Sequence, residues 1–132
     1  MKKKIKYLIL FGCLLLAYTL IEPYWLKINT IIFTDSDIPK TFHNKKIIFV
    51  SDIHHGPFLN TDRIHKLVIK INSLQPDIIL LGGDYVHRDK KYIAPLFKEF
   101  KNLKAKLFIG GVLGNHDHWE SKKLTIEHMK LA

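Results

Sequence analysis

The residues best equipped for chemistry come in three short groups. Asp52-Ile53-His54 follows the apolar run Ile47–Val50, and Asp84 follows Ile78–Leu81 and the pair Gly82-Gly83. Asn115-His116-Asp117 follows Lys106–Leu113 and Gly114. Each run reads as a short buried strand, so each group falls at a strand's carboxyl end, where open α/β sheets bind ligands. In extended backbone alternate side chains point the same way, so Asp52 and His54 can reach one ion. A carboxylate with an imidazole suits Mn²⁺, Fe²⁺ or Zn²⁺ rather than Ca²⁺. Asp84 is a short carboxylate able to bridge two ions, and its two glycines let backbone and metal approach closely. Asn115 can offer a neutral amide oxygen to a second ion. His116 can act beside the metals as a general acid, oriented by Asp117. Singly, these groups have ordinary explanations, a turn glycine pair or a solvated Asp-x-His. Three together, each at a strand end, argue for a metal centre.

The elements that must hold these groups follow from periodicity. The strand Lys46–Ser51 is followed by a loop over Asp52–Pro57, and Asn60 or Thr61 can cap a helix running to about Ser73. Ile64, Leu67, Val68, Ile71 and Leu74 recur at helical spacing and form its buried stripe. Gln75-Pro76-Asp77 ends it, and Ile78–Leu81 follows as a strand. Strand, helix and strand in so short a stretch make a βαβ unit with parallel strands. A second helix, Tyr92–Asn102, buries Ile93, Leu96, Phe97, Phe100 and Leu103 and tolerates Pro95 in its first turn. A lysine-rich helix, Glu120–Leu131, closes the chain. Upstream, the β-branched run Leu26–Phe33 reads as a further strand, closed by turns at Asp35–Pro39 and Asn44-Lys45. The fold class is α/β.

The chain has 132 residues and the composition of one folded domain, without repeats or low-complexity segments. Its formal charge is +9, of which Lys2, Lys3, Lys4 and Lys6 carry four, leaving +5 spread over lysine-rich faces and loops. No aromatic residues interleave with that charge, which argues for a solvated surface and against a nucleic-acid partner. Cys13 is the only cysteine, so there is neither an intrachain disulfide nor a thiolate metal site.

Ile5–Ile21 is at the short end of the roughly 17–25 residues that cross a bilayer, with Lys6 placed to snorkel. A cleaved signal peptide would share the charged start and apolar middle, but Ala17-Tyr18-Thr19-Leu20-Ile21 offers no small-x-small cleavage site. The reading is an uncleaved signal-anchor. The lysine cluster should stay cytoplasmic and everything after Pro23 should lie on the outer side. Tyr24 and Trp25 fit an aromatic pair at the interface.

The motifs Asp52-Ile53-His54, Gly83-Asp84 and Gly114-Asn115-His116-Asp117, in this order, closely resemble those of the calcineurin-like metallophosphoesterase superfamily. With the apolar N-terminus, the text over Lys45–Trp119 is similar to a bacterial membrane-associated branch that includes proteins like UDP-2,3-diacylglucosamine pyrophosphatases. The resemblance implies a β-sandwich flanked by helices, and two divalent cations about 3.5–4 Å apart that activate water and neutralise a phosphoryl group. Asp52 and His54 would bind the first cation, Asp84 would bridge, Asn115 would bind the second, and His116 would be the catalytic histidine. The substrate would be a phosphomonoester, a phosphodiester or a pyrophosphate, with the anchor favouring a lipid-linked or envelope compound. The superfamily domain also carries a lone histidine and a Gly-His-x-His motif further on, which give two more ligands to the second metal and one more to the first.

His118 and His128 come too early for those ligands; His118 follows the motif directly and His128 is assigned to a polar helix face. The expected organisation is therefore a membrane anchor over 1–23, a connecting strand and turn over 24–44, and the N-terminal half of a metallophosphoesterase domain over 45–132. This chain alone is expected to bind at most one divalent ion. A non-enzymatic, membrane-tethered remnant is the alternative. His43 and His65 read as solvated, and so do His55 and His87 unless they line the substrate cleft.

Overall fold

The computed structural model describes residues 2–22 and 25–132. Three short strands, β1 (Ile47–Val50), β2 (Ile78–Leu81) and β3 (Phe108–Gly111), form one sheet in the order β1-β2-β3, with both pairings parallel. Ile47 is opposite Ile78, and Ile78 opposite Phe108, so the three strands end level. A helix lies in each crossover: α2 (Thr61–Ser73) between β1 and β2, and α3 (Ile93–Phe100) between β2 and β3. The βαβ expectation holds for β1–α2–β2, and β2–α3–β3 repeats the arrangement.

Helix α2 starts where Asn60, in extended backbone, accepts the Arg63 amide through its side chain at 3.2 Å. It stops at Leu74, after which Gln75 takes a left-handed φ of 50° ahead of Pro76. Most of the apolar stripe does its expected work: Ile64, Val68 and Ile71 are buried and Leu67 packs against the core they join, while Leu74, which caps the helix, is only half-buried. Helix α3 buries Ile93, Leu96, Phe97 and Phe100, with Leu103 just beyond it. It is shorter than the expected span at both ends: Tyr92 belongs to a 3₁₀ turn, Lys90–Tyr92, capped by the Asp89 carboxylate on the Lys91 amide, and Lys101 and Asn102 form a turn. From β2, Ile79 and Leu81 point into this core, and Tyr85 sits at its centre with its ring edge-on to Phe97 and Phe100. Asn72 ties α2 to the loop before β3, donating to the Asn102 carbonyl and accepting from the Lys104 amide, each at 2.8 Å.

Three expectations need correction. The run Lys106–Leu113 is not a buried strand: only Phe108–Gly111 is a strand, and Leu107, Phe108, Ile109 and Val112 are all exposed. Among the described residues the sheet is covered on one face only, so Phe49, Leu80 and Phe108, which share the other face by register, stay exposed. The run Leu26–Phe33 forms no strand, and Ile31, Ile32 and Phe33 are exposed. β-branching favours a pleated, half-buried surface but does not supply a partner strand. The last helix, α4 (Asn115–Leu131), begins five residues earlier than expected and is broken at Ser121, whose φ of −177° and ψ of 94° are not helical. Asn115, His116 and Asp117 therefore open a helix instead of tipping a strand.

The chain divides into two units, Met1–Asp35 and Ser36–Ala132. In the first, α1 (Lys2–Ile21) is a helix with apolar side chains around its whole circumference and none of its described residues buried. Lys3–Ile21 is long and apolar enough to cross a membrane. Trp25 packs its ring edge against Tyr18, with centroids 6.2 Å apart; its expected partner at the interface, Tyr24, lies outside the described residues.

Candidate functional site

Three loops converge where the parallel strands end, and main-chain bonds continue the pairing beyond them. The amides of Asp52, His54 and His55 donate to the carbonyls of Gly83, Asp84 and Tyr85 at 3.1, 3.0 and 2.8 Å, and the His87 amide returns to the His55 carbonyl at 3.0 Å. The loop after β1 is thus zipped onto the loop after β2. Asp52, His54 and Asp84 all lie in the left-handed region, with φ of 55°, 50° and 53°. Left-handed backbone costs a non-glycine residue about 1–3 kcal/mol and persists only where surrounding bonds enforce it. Here those bonds exist, and the strain falls on the three residues picked out as metal ligands.

The third loop is clamped by Asp117. Its carboxylate is fully buried and accepts the amides of Asp84, Tyr85 and Gly114 at 2.8, 2.9 and 2.9 Å. The bond to Gly114 is that of a third helical residue reaching back to the residue that caps α4. Glycine is required at this meeting point. A β-carbon on Gly83, whose φ is 91°, would land on the Gly114 nitrogen, and one on Gly114 would land on the Asp84 carboxylate. The amide of His116 then donates to Asp84 Oδ1 at 2.9 Å. The carboxylate expected to orient His116 is instead occupied with backbone, and the His116 imidazole is met by His87, with their Nδ1 atoms 3.3 Å apart.

Asp52, His54 and Asp84 each place one ligand atom within 4.8 Å of the others. Asp52 Oδ1 is 3.8 Å from His54 Nε2, and the Ser51 hydroxyl donates to the other Asp52 oxygen. His54 Nδ1 is buried and has no hydrogen-bond partner. Two carboxylates and an imidazole so close together fit a divalent cation of the Mn²⁺, Fe²⁺ or Zn²⁺ kind. Asn115 is exposed and follows Gly114 directly. His54, His87 and His116 make a second group of the same compactness, and Trp119 packs its ring edge against His116 at 4.7 Å.

His87 is half-buried among the site residues and is not simply a solvated loop histidine. Desolvation, with the imidazoles of His116 and His54 and the Arg88 guanidinium nearby, holds it below the ordinary histidine value, although Glu120 opposes this. Arg88 Nε donates to His87 Nε2 at 3.1 Å. That leaves the His87 proton on Nδ1, facing His116 Nδ1 as acceptor, so the bonding places the His116 proton on Nε2. His55 belongs to the core, not to a cleft. It is buried, with Nδ1 on the Tyr92 carbonyl at 2.9 Å and Nε2 on the Thr61 hydroxyl at 3.3 Å. His65 is solvated and pairs with Glu99 at 2.8 Å. His118 is exposed, and His128 stacks on Phe97 with ring centroids 6.5 Å apart, so its face of α4 is not simply polar.

Comparison with known proteins bears on what this loop cluster is. The chain is 29% identical to a metallophosphoesterase of Aquifex aeolicus over 119 residues, which is 90% of this chain and 45% of that protein. It is 33% identical to the UDP-2,3-diacylglucosamine pyrophosphatase LpxG of Chlamydia trachomatis over 102 residues, 74% of this chain and 30% of that protein. A bovine transmembrane protein with a metallophosphoesterase domain is 27% identical over 84 residues, 64% of this chain and 19% of that protein. The chain thus spans less than half the length of these curated relatives. No solved structure matches it. The calcineurin-like phosphoesterase family matches residues 45–130, which take in all three loops, and the chain belongs to that family.

Proposed function

We propose that residues 45–132 form the part of a metal-dependent phosphoesterase that holds its first metal ion. The observation that carries this reading is the convergence of Asp52, His54 and Asp84 within 4.8 Å on left-handed backbone. Asp52 and His54 would hold the first cation, with Asp84 shared with a second and Asn115 offered to the second. When bound, such cations neutralise phosphoryl oxygens and lower the pKa of water, which is the chemistry that phosphoester hydrolysis needs. The remaining work falls to side chains. His116, with its proton on Nε2, protonates the leaving oxygen, and His87 and Arg88 hold it in that tautomer. Asp117 acts through the backbone by fixing Asp84 and Gly114. The substrate is a phosphomonoester, phosphodiester or pyrophosphate. Kinship with LpxG and the apolar α1 favour one that is lipid-linked, met on the outer side of a membrane that α1 anchors.

A second reading follows from the expected ligands: those for the second cation are Asp84 and Asn115, one of them a neutral amide. Electrostatic stabilisation is usually the largest catalytic contribution, and half of it would be missing. On that reading this chain alone binds one cation and turns over slowly. A metal count with a chromogenic phosphodiester assay, on the whole chain in detergent micelles, separates the two. Two tightly held ions with robust turnover support a complete centre here, and one ion with turnover near background supports the second reading. Failure to bind any divalent ion refutes both.

A further inference from the structure

The cluster of His54, His87 and His116 is not needed as a unit by the phosphoesterase reading, which gives its members separate tasks. Their rings come from the loop after β1, the loop after β2 and the first turn of α4, with centroid separations of 4.6 Å for His54–His116, 5.0 Å for His87–His116 and 5.5 Å for His54–His87. One nitrogen of each lies within 4.8 Å of the others. Two nitrogens bound at the usual 2.0–2.1 Å to one tetrahedral ion stand about 3.3–3.4 Å apart. The Nδ1 atoms of His87 and His116 are already 3.3 Å apart. Buried polar atoms are nearly always paired, yet His54 Nδ1 is not.

We propose that His54, His87 and His116 form a zinc site distinct from the Asp52–His54–Asp84 set, with water in the fourth position. Three neutral imidazoles without a carboxylate favour zinc over the oxygen-loving Mg²⁺, Ca²⁺ and Mn²⁺. His54 belongs to both sets, so the two sites are alternatives: zinc draws His54 towards the histidines, and manganese leaves it with the carboxylates. Zinc on His87 Nδ1 moves the His87 proton to Nε2, where Arg88 now donates, so Arg88 must let go. Arg88 is exposed and its hold is weak. The inference does not rest on the phosphoesterase reading and survives if no hydrolysis is found.

The test is a zinc titration of the whole chain in detergent micelles, against a competing chromogenic chelator. One zinc per chain is expected. His87→Ala should weaken it by roughly a hundredfold or more, since losing even an outer partner of a ligand costs about 10–100-fold. Asp52→Asn should leave zinc affinity nearly unchanged, and Arg88→Ala should raise it. X-ray absorption at the zinc edge on the unaltered chain counts ligands without any variant, and three imidazoles are expected. A single imidazole with carboxylate oxygens, zinc affinity indifferent to His87→Ala, or no zinc binding would each overturn the proposal.

Discussion

Asp117→Ala should strongly destabilise the unit Ser36–Ala132. The side chain is fully buried and its two oxygens serve three backbone amides, of which that of Tyr85 is buried and those of Asp84 and Gly114 are partly so. Leaving a buried donor unsatisfied costs about 1–3 kcal/mol, and hydrogen bonds to a charged acceptor are worth about 1.5–3 kcal/mol each. Water can replace part of the loss at the two partly buried amides, which brings the total to about 3–6 kcal/mol. That is a large share of the roughly 5–15 kcal/mol that holds a typical domain. Asp117→Asn keeps one carbonyl oxygen but turns an N–H₂ towards an amide donor, so about half that loss is expected. Urea unfolding in micelles, followed by circular dichroism at matched slope, measures both. The reasoning fails if Asp117→Ala costs less than about 1 kcal/mol, the worth of one ordinary hydrogen bond.

Gly83→Ala should destabilise by about 2 kcal/mol or more, because left-handed strain and overpacking each cost about 1–3 kcal/mol; thermal unfolding reads this, and an unchanged midpoint contradicts the close approach to Gly114. His55 is buried and neutral, and burial lowers its pKa despite the bond to the Tyr92 carbonyl. Its contribution to stability is therefore complete above the unfolded value of about 6.5 and is lost as pH falls through the lower folded value. Unfolding midpoints measured against pH should show this slope, flattened in His55→Gln. The chain should resist alkaline carbonate extraction from membranes, and a cysteine placed at Lys104 should label from outside intact cells; labelling only after permeabilisation would reverse the orientation.

What could be read from the chain depended on whether the signal was local. The stripe from Ile64 to Ile71, a cap at Asn60 or Thr61 and the parallel pairing of Ile47–Val50 with Ile78–Leu81 follow from spacing and short connections; the structure shows the stripe and the pairing and takes Asn60 as the cap. The exposure of Phe108 and Val112 was illegible, because an apolar run does not say how many faces of the sheet are covered. The absence of a strand at Leu26–Phe33 was hidden for the related reason that propensity carries no partner. Among the site residues, the grouping of Asp52, His54 and Asp84 was anticipated from strand-end positions. The partners of Asp117 were not, since they depend on the approach of Gly83 to Gly114. His55 and His87 looked alike as loop histidines. No local signal separated them: Asp52 and His54 leave the expected extended backbone, with φ of 55° and 50°, so strand alternation does not say which way His55 faces.

If Asp52, His54 and Asp84 hold a divalent cation, manganese should bind there, because carboxylates favour it over an all-histidine set. Equilibrium binding of Mn²⁺ to the whole chain in micelles, by electron paramagnetic resonance of the free ion, gives stoichiometry and affinity together. The predicted result is one manganese per chain, weakened at least tenfold by either Asp52→Asn or Asp84→Asn and unaffected by His87→Ala. Manganese that does not bind, or that binds equally well to both carboxylate variants, would contradict it.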